Sequence, residues 1–397
     1  MSKSADRPLR VLSLSTLYPH DLAPGFGVFV DRQMQAVAAR GDVDLTLVSP
    51  LGLPPFPLSL HPRYRALRDL PEQEQRGKVR VLRPRFTLLP AIGARFNAGA
   101  ITRAVLPLAR KLHAEQPFDL IDAQFFHPDG LAAVRIAEAL NLPVSIKARG
   151  ADIHHWGHQK ATAAQVLAAG QRATGLLAVA QGLADDMVAL GLPREKIGIH
   201  RTGLDADLFR RYNRRMCRNQ LGLPCNTTVL ATVGALIPRK GQRFAIEALA
   251  ELPGAILLLA GQGEDEAMLR SLAERLGVAD RVRFLGAVPH GELPIVLNAA
   301  DIFVLPSASE GLANAWVEAL ACGTPVITTP IPGAQELLTN PAWGRMVPRE
   351  GPAIAAAVRD ILSAPPAPET VQAAVAGMSW QANAAALVAH WRRLVAA

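Results

Sequence analysis

Residues 306–327 read PSASEGLANAWVEALACGTPVI, and the rest of the chain is organised around them. Glu310 and Glu318 stand at either end of a seven-residue gap in this stretch. The pattern predicts a helix that begins near Leu312, runs through small and apolar residues past Glu318, and stops at Gly323 with Pro325 just beyond. Apolar runs at 301–305 and 326–328 read as flanking strands. A strand feeding a glycine-containing loop that opens a helix presents free backbone N–H groups and a positive dipole end to whatever lies above the sheet. Its natural guest is a phosphate.

Carboxylates beside a phosphate need cations or hydroxyl donors in between, because two anions repel. Sugar hydroxyls are such donors. One glutamate then accepts from a ribose and the other from a transferred hexose, with a diphosphate held between them. The plainer alternative has Glu310 favouring the helix dipole and Glu318 as a solvated surface residue.

The chain has 397 residues, half of them hydrophobic and 19% charged, which suits two α/β domains. Cys217, Cys225 and Cys322 show neither metal-ligand spacing nor an even disulfide framework and suit a reducing compartment. No apolar run approaches the ~20 residues of a membrane span, and the N-terminal apolar segment is short for a signal sequence. A cytoplasmic protein is expected. Residues 1–200 hold 24 Lys and Arg against 17 Asp and Glu, most of the net +8. This basic half faces anionic lipid, nucleic acid or a phosphorylated substrate, or is simply solubility charge.

Taken in order, 9–15 reads as the first strand of a doubly wound sheet, and Pro24, Gly25 and Gly27 form a turn before a helix from Val28. Glycines at the carboxyl end of a first strand permit close ligand approach, or merely a turn. Residues 50–71 are crowded with proline and arginine and read as a surface excursion. A helix is expected over 91–113, carrying Arg95, Arg103, Arg110 and Lys111; it faces a membrane or acceptor, or is a core helix with snorkelling arginines. His127 stands at the end of the strand at 119–124, with Asp129 placed to cap the next helix. Arg149, Gly150 and Asp152 follow the strand at 143–147. His154, His155 and His158 lack the partners of a metal site.

The alternation begins afresh near residue 205, with a strand at 228–235 leading into LIPRKGQ. Gly261 and Gly263 open a helix, but the third glycine of a dinucleotide fingerprint is missing, which disfavours a nicotinamide enzyme. Domains are expected at 1–204 and 205–376, followed by a terminal segment at 377–397. There a helix with Trp380 and Trp391 crosses back to brace the first domain.

Together these pieces resemble the family 4 glycosyltransferases, retaining enzymes of the GT-B fold in which two Rossmann-like, doubly wound parallel-sheet domains face across a cleft. SEGLANAWVEALACGTPVI resembles that family's E-x7-E region, VGALIPRKG its phosphate loop, and RFLGAVPH the segment bordering the nucleotide base. PGFGVFVDRQ and FFHPDG resemble its first-domain substrate loops. The resemblance implies Glu310 at the donor sugar, Glu318 at the donor ribose, and Gly311 with the amides of Leu312, Ala313 and Asn314 at the diphosphate. Lys240 and Arg239 then supply cations beside Gly234, and Val288 borders the base. Gly25, Gly27, His127, Arg149 and Asp152 line the first-domain substrate side.

The implied partners are a nucleotide-sugar donor and a lipid-linked or polysaccharide acceptor, with peripheral membrane contact through the basic domain and no nucleic acid. Neither metal nor cofactor is expected, the nucleotide-sugar being a substrate. Two departures from the family pattern stand out: Ala235 occupies a position commonly arginine, and Arg149-Gly150 replaces a His-Gly pair. An epimerase or hydrolase of the same fold, or a non-catalytic binder, are the competing readings.

Overall fold

The computed structural model describes residues 7–90 and 93–397, in two compact units. Leu204–Ser379 form the second, and the chain up to Gly203 together with Trp380–Ala397 forms the first.

Among the described residues, ten strands build the first unit: β1 (Leu9–Leu14), β2 (Val43–Val48), β3 (Leu51–Leu53), β4 (Gln73–Arg76), β5 (Val79–Leu82), β6 (Arg85–Thr87), β7 (Leu120–Ala123), β8 (Val144–Ala148), β9 (Gly175–Ala178) and β10 (Ile197–Ile199). Eight of them form one sheet in the order β10-β9-β8-β7-β1-β2-β5-β4, parallel except for the edge pair β4–β5, while β3 and β6 pair separately. Strands such as β7 and β8 are buried throughout because helices cover both faces, so they read as apolar runs rather than alternations.

The terminal helix Trp380–Ala396 packs on the Val28–Ala39 helix, with Leu387, Val388 and Trp391 in one cluster with Val30, Met34 and Val37. The expected helix start at 91 lies outside the described residues, and the helix there runs Ala94–Glu115. Residues 50–71 hold more structure than their composition suggests: β3, a single turn at Leu58–Leu60 and a helix at Pro62–Asp69. That helix buries no residue, and without a core-facing stripe there is no period to detect.

The second unit has six strands: β11 (Val229–Val233), β12 (Ile256–Ala260), β13 (Val282–Gly286), β14 (Ile302–Val304), β15 (Val326–Thr328) and β16 (Gly344–Met346). Their order is β13-β12-β11-β14-β15-β16, all parallel, which is the doubly wound dinucleotide-fold order. Consecutive residues feed opposite cores. Leu230, Leu257, Leu259, Ile302 and Val304 join one cluster, while Ala231, Leu258, Phe303 and Leu305 join the other.

Each sheet has a point where strand order reverses, β1 beside β7 in the first unit and β11 beside β14 in the second. Loops leaving the carboxyl ends of such a pair diverge and leave a crevice, the usual place for a ligand in open α/β sheets.

Candidate active site

In the second unit the crevice between β11 and β14 is lined by residues 234–241 and 306–313. The helix that follows spans Asn314–Ala321, two residues shorter at its start than the sequence pattern implies, because Ala313 is extended with ψ 120°. Trp316 N–H donates to the Ala313 carbonyl at 3.1 Å, so the N–H groups of Asn314 and Ala315 precede the first intrahelical bond. The amides of Gly311 to Ala313 belong to the loop rather than to the helix. At the other end Gly323, with φ +77°, closes the helix.

Two cations converge on Glu310. Lys240 Nζ donates to its Oε1 at 2.6 Å and an Arg239 Nη1 lies 3.1 Å from the same oxygen. The side chains of Lys240 and Glu310 are only 16% and 11% exposed, so the pair is poorly screened. Burial raises the carboxyl's pKa, but the charges of Lys240 and Arg239 more than reverse that and leave it below the ordinary glutamate value. Glu310 is therefore an anion that already has partners.

The two loops are tied to each other through backbone groups. Ala308 N–H donates to the Arg239 carbonyl at 2.8 Å, and Arg239 Nη1 donates to the Ser309 carbonyl at 2.6 Å. Arg349, distant in sequence, donates to the carbonyls of Pro306 at 2.8 Å, Arg239 at 2.9 Å and Pro238 at 2.5 Å. A Cβ on Gly241 would meet the Pro306 carbonyl and the Arg349 guanidinium. Arg349 carries no local motif, and only the fold brings it to the loop.

Behind the loop, Gly234 (φ +148°) takes its N–H bond to the Ala260 carbonyl and Leu236 N–H donates to Gln262. A Cβ on Gly261 would overlap the Gly234 carbonyl oxygen, and one on Gly263 would overlap that of Leu236. These two glycines are required by chain-on-chain approach whether or not a ligand sits there. Ala235 is exposed at the tip, where Gln242 Nε2 holds its carbonyl at 2.8 Å.

Glu318, four residues into the helix, accepts from His290 Nε2 at 2.9 Å, and the His290 ring stacks edge-on against Phe209 with centroids 4.9 Å apart. The His290–Glu318 pairing was not legible beforehand, although His290 closes the RFLGAVPH segment. Val288, in the same segment, packs against the apolar cluster beneath the helix.

In the first unit the crevice between β1 and β7 gathers the loop containing Gly25 and Gly27 with the turn at Phe126–Gly130. Gly27 (φ +72°) precedes the Val28–Ala39 helix, and a Cβ there would overlap the Leu17 carbonyl; Gly25 has open space around it. Asp129 does not cap the Leu131–Leu140 helix. Its Oδ2 instead accepts from Thr16 N–H at 2.9 Å, bridging the two loops, and burial with a contribution from Asp152 lifts its carboxyl to about 7. His127 is buried against the Trp156 ring, 5.0 Å between centroids, and burial lowers it to about 4.

Asp152 turns inward as well, accepting from the N–H groups of Arg149 at 2.9 Å, Gly150 at 2.8 Å and Phe126 at 3.3 Å. Arg149 lies over the Phe29 ring at 4.8 Å and donates to Gln33 at 3.0 Å and to the Gln124 carbonyl at 3.1 Å. Lys147 is fully buried in β8 with Nζ 2.6 Å from His200 Nδ1, and burial drives its pKa well below the ordinary lysine value. A lysine inside the apolar run VSIKA was the available signal for this polar core.

A separate cavity of about 530 Å³ in the second unit, lined by Arg211, Arg214, Arg215 and Asn298, sits by Cys322 and Gly323 at the far end of the Asn314–Ala321 helix. It is not formed by the loops that hold Glu310. His154, one of the clustered histidines, pairs with Asp186 at 2.8 Å.

Residues 213–376 match the family model described as "Glycosyl transferases group 1", and residues 25–208 match "Glycosyltransferase Family 4". TuaC of Bacillus subtilis, provisionally named as a teichuronic acid biosynthesis glycosyltransferase, is 30% identical over 366 residues, covering 88% of each chain. Among solved structures, sucrose-phosphate synthase of Thermosynechococcus elongatus superposes with a TM-score of 0.78 at 21% identity, over 98% of this chain and 99% of its own. HepE of Anabaena in complex with UDP gives 0.75 at 20% identity, over 97% of this chain and 100% of its own. With UDP-glucose it gives 0.69 at 21% identity, over 98% of each chain.

Proposed function

This chain belongs to glycosyltransferase family 4 and is a glycosyltransferase of the GT-B fold, and from that premise we propose that it transfers a sugar from a nucleoside-diphosphate donor, with retention, to a lipid-linked or polysaccharide acceptor. The observation that carries this reading is the meeting of Lys240 and Arg239 with Glu310 ahead of the Asn314 helix turn. A departing nucleoside diphosphate gains negative charge on its phosphate oxygens. Fixed cations and unpaired helix N–H groups aimed there stabilise that charge without reorganising. No metal ion or other cofactor is assigned a role.

In this scheme the bond from the anomeric carbon to the β-phosphate oxygen breaks, and the acceptor oxygen bonds on the face just vacated. The acceptor's hydroxyl proton passes to the departing phosphate oxygen. Glu310, neutralised by two cations, is a poor nucleophile and instead accepts from the sugar's hydroxyls. Glu318, oriented by His290, is assigned to the ribose hydroxyls, and Val288 to the edge of the base. The loops of Gly25, Gly27 and His127 in the first unit are assigned to the acceptor, with Arg149 and Asp152 shaping their floor.

HepE makes UDP the first nucleotide to test, and TuaC supports a glycan acceptor. We place the reaction at the cytoplasmic face of a membrane, with peripheral contact through the basic unit; no helix among the described residues is long and apolar enough to cross one. The test is incubation with a panel of nucleotide-sugars, with and without lipid-linked or oligosaccharide acceptors. Product is read by mass spectrometry and anomeric configuration by NMR, with and without chelator. Acceptor-dependent, chelator-insensitive product of retained configuration is expected. Donor consumed without acceptor, or bound without turnover, contradicts transfer; inverted product contradicts retention alone.

A further inference from the structure

Residues 54–68, PPFPLSLHPRYRALR, contain no acidic side chain. Phe56, Leu58 and Leu60 project from this stretch at 78%, 54% and 49% exposure. The segment is held in place despite its exposure. Pro54 and Ser59 are buried, Ser59 and Leu60 N–H groups donate to the carbonyls of Pro55 and Pro57, and β3 just before it pairs with β6. Arg85 donates to the carbonyls of Arg68 and Leu70, at the end of the helix that follows. The three apolar side chains are therefore presented outward on a fixed turn.

The Pro62–Asp69 helix that packs beside this turn has no fully buried residue, leaves Tyr64, Ala66 and Leu67 half-buried, and exposes Arg63, Arg65, Arg68 and Asp69. By contrast, the Ala94–Glu115 helix spends its apolar face on the core through Ala98, Ile101, Val105 and Ala109. Separated apolar side chains beside a helix that exposes three arginines against the single carboxylate of Asp69 match the two layers of an anionic bilayer surface. The apolar groups enter the acyl boundary while the guanidinium groups remain among phosphate headgroups.

We propose that the turn at 56–60 and the Pro62–Asp69 helix dock the first unit on an anionic membrane surface. This deepens the reading of a membrane-borne acceptor, on which its purpose rests but its measurement does not.

The test is sedimentation of the full chain, without donor or acceptor, with vesicles of phosphatidylcholine alone or mixed with phosphatidylglycerol. Binding to the mixed vesicles, falling with salt, is expected. Phe56→Ser/Leu58→Ser/Leu60→Ser should weaken it by about tenfold or more, since the apolar groups that enter the acyl boundary are removed. Arg63→Gln/Arg65→Gln/Arg68→Gln should remove the preference for phosphatidylglycerol. All six positions are exposed, so circular dichroism and transfer to a water-soluble acceptor should be unchanged. The proposal is overturned if the wild type stays in the supernatant or the serine variant sediments like it. It is equally overturned if light scattering finds a lipid-independent dimer that the serine variant breaks, which would make a second copy the occupant. A wild type that transfers but does not bind vesicles counts against docking alone, and a wild type that binds vesicles but does not transfer counts against the function alone.

Discussion

Replacing Glu310 by glutamine separates two consequences of its contact with Lys240. The carboxylate is 89% buried by area and lies 2.6 Å from one cation and 3.1 Å from another, so in the donor-free protein Lys240 is already neutralised. Glutamine keeps the acceptor oxygen but frees the lysine and removes an anion from the phosphate's neighbourhood. Coulomb attraction at ~4 Å and an effective dielectric near 20 is ~4 kcal/mol, most of it offset by solvation in the free state. A net gain of about 1.4 kcal/mol, tenfold, in affinity for free nucleoside diphosphate is therefore expected.

Turnover should move the other way, because in the proposed scheme the sugar hydroxyls lose a charged acceptor. Charge-assisted hydrogen bonds are worth ~1.5–3 kcal/mol, which corresponds to a drop in kcat of roughly ten- to a hundredfold. Lys240→Met should lower both diphosphate affinity and kcat, the latter by about 10²–10³-fold if the lysine meets the leaving group. Calorimetric titration with UDP and initial rates on the accepted donor read both quantities. Weaker diphosphate binding in Glu310→Gln, or unchanged turnover in both variants, would refute the reasoning.

Other expectations follow from the same geometry. Arg349→Ala removes three hydrogen bonds to loop carbonyls and should lower stability by ~1–3 kcal/mol by denaturant titration. In that variant kcat should fall, with partial recovery in Arg349→Lys. Gly261→Ala forces a Cβ against the Gly234 carbonyl at φ +152° and should cost more than ~2 kcal/mol, seen as a lower melting temperature; an unchanged melt would show that the loop yields.

Acid stability provides a further check. His127 and His390 are each held down to about 4 by burial, so their contribution is complete above the ordinary histidine value and lost as pH falls from about 6.5 toward 4. Asp129, raised to about 7, acts oppositely and regains stability as pH falls from about 7. In an Asp129→Asn background, unfolding free energy should therefore fall on acidification over pH 6.5 to 4 by a few kcal/mol, at ~1.4 kcal/mol per tenfold change in proton affinity. Adding His127→Asn and His390→Asn should reduce that slope, the remainder coming from His200, which burial also lowers.

The parts legible in the sequence are those whose physics is local. Period and apolar runs locate β11, β14 and β15, and Gly323 with Pro325 marks a helix end that φ +77° at the glycine explains. The pattern puts the start two residues early because Leu312 and Ala313 fit a helix by composition, and only backbone geometry shows Ala313 extended. Glu310 and Lys240 were visible as charges beside glycine loops, but their 2.6 Å contact joins positions 70 residues apart and depends on β11 lying beside β14.

Arg349 and the inward-turned Asp152 and Asp129 are long-range or loop-closing uses of common residues, which no short motif distinguishes from ligand contacts. Gly261 and Gly263 show the same ambiguity from the other side. A glycine required by close approach has the same sequence signature whether a phosphate or the neighbouring carbonyl approaches it.

The most direct measurement is a crystal structure of the full chain with a bound nucleoside diphosphate. The β-phosphate should lie within about 3 Å of Lys240 Nζ and of the Asn314 or Ala315 N–H, as hydrogen-bond geometry requires. A diphosphate bound elsewhere, in the cavity lined by Arg211, Arg214 and Arg215 for example, with Lys240 still closed on Glu310, would contradict the assignment.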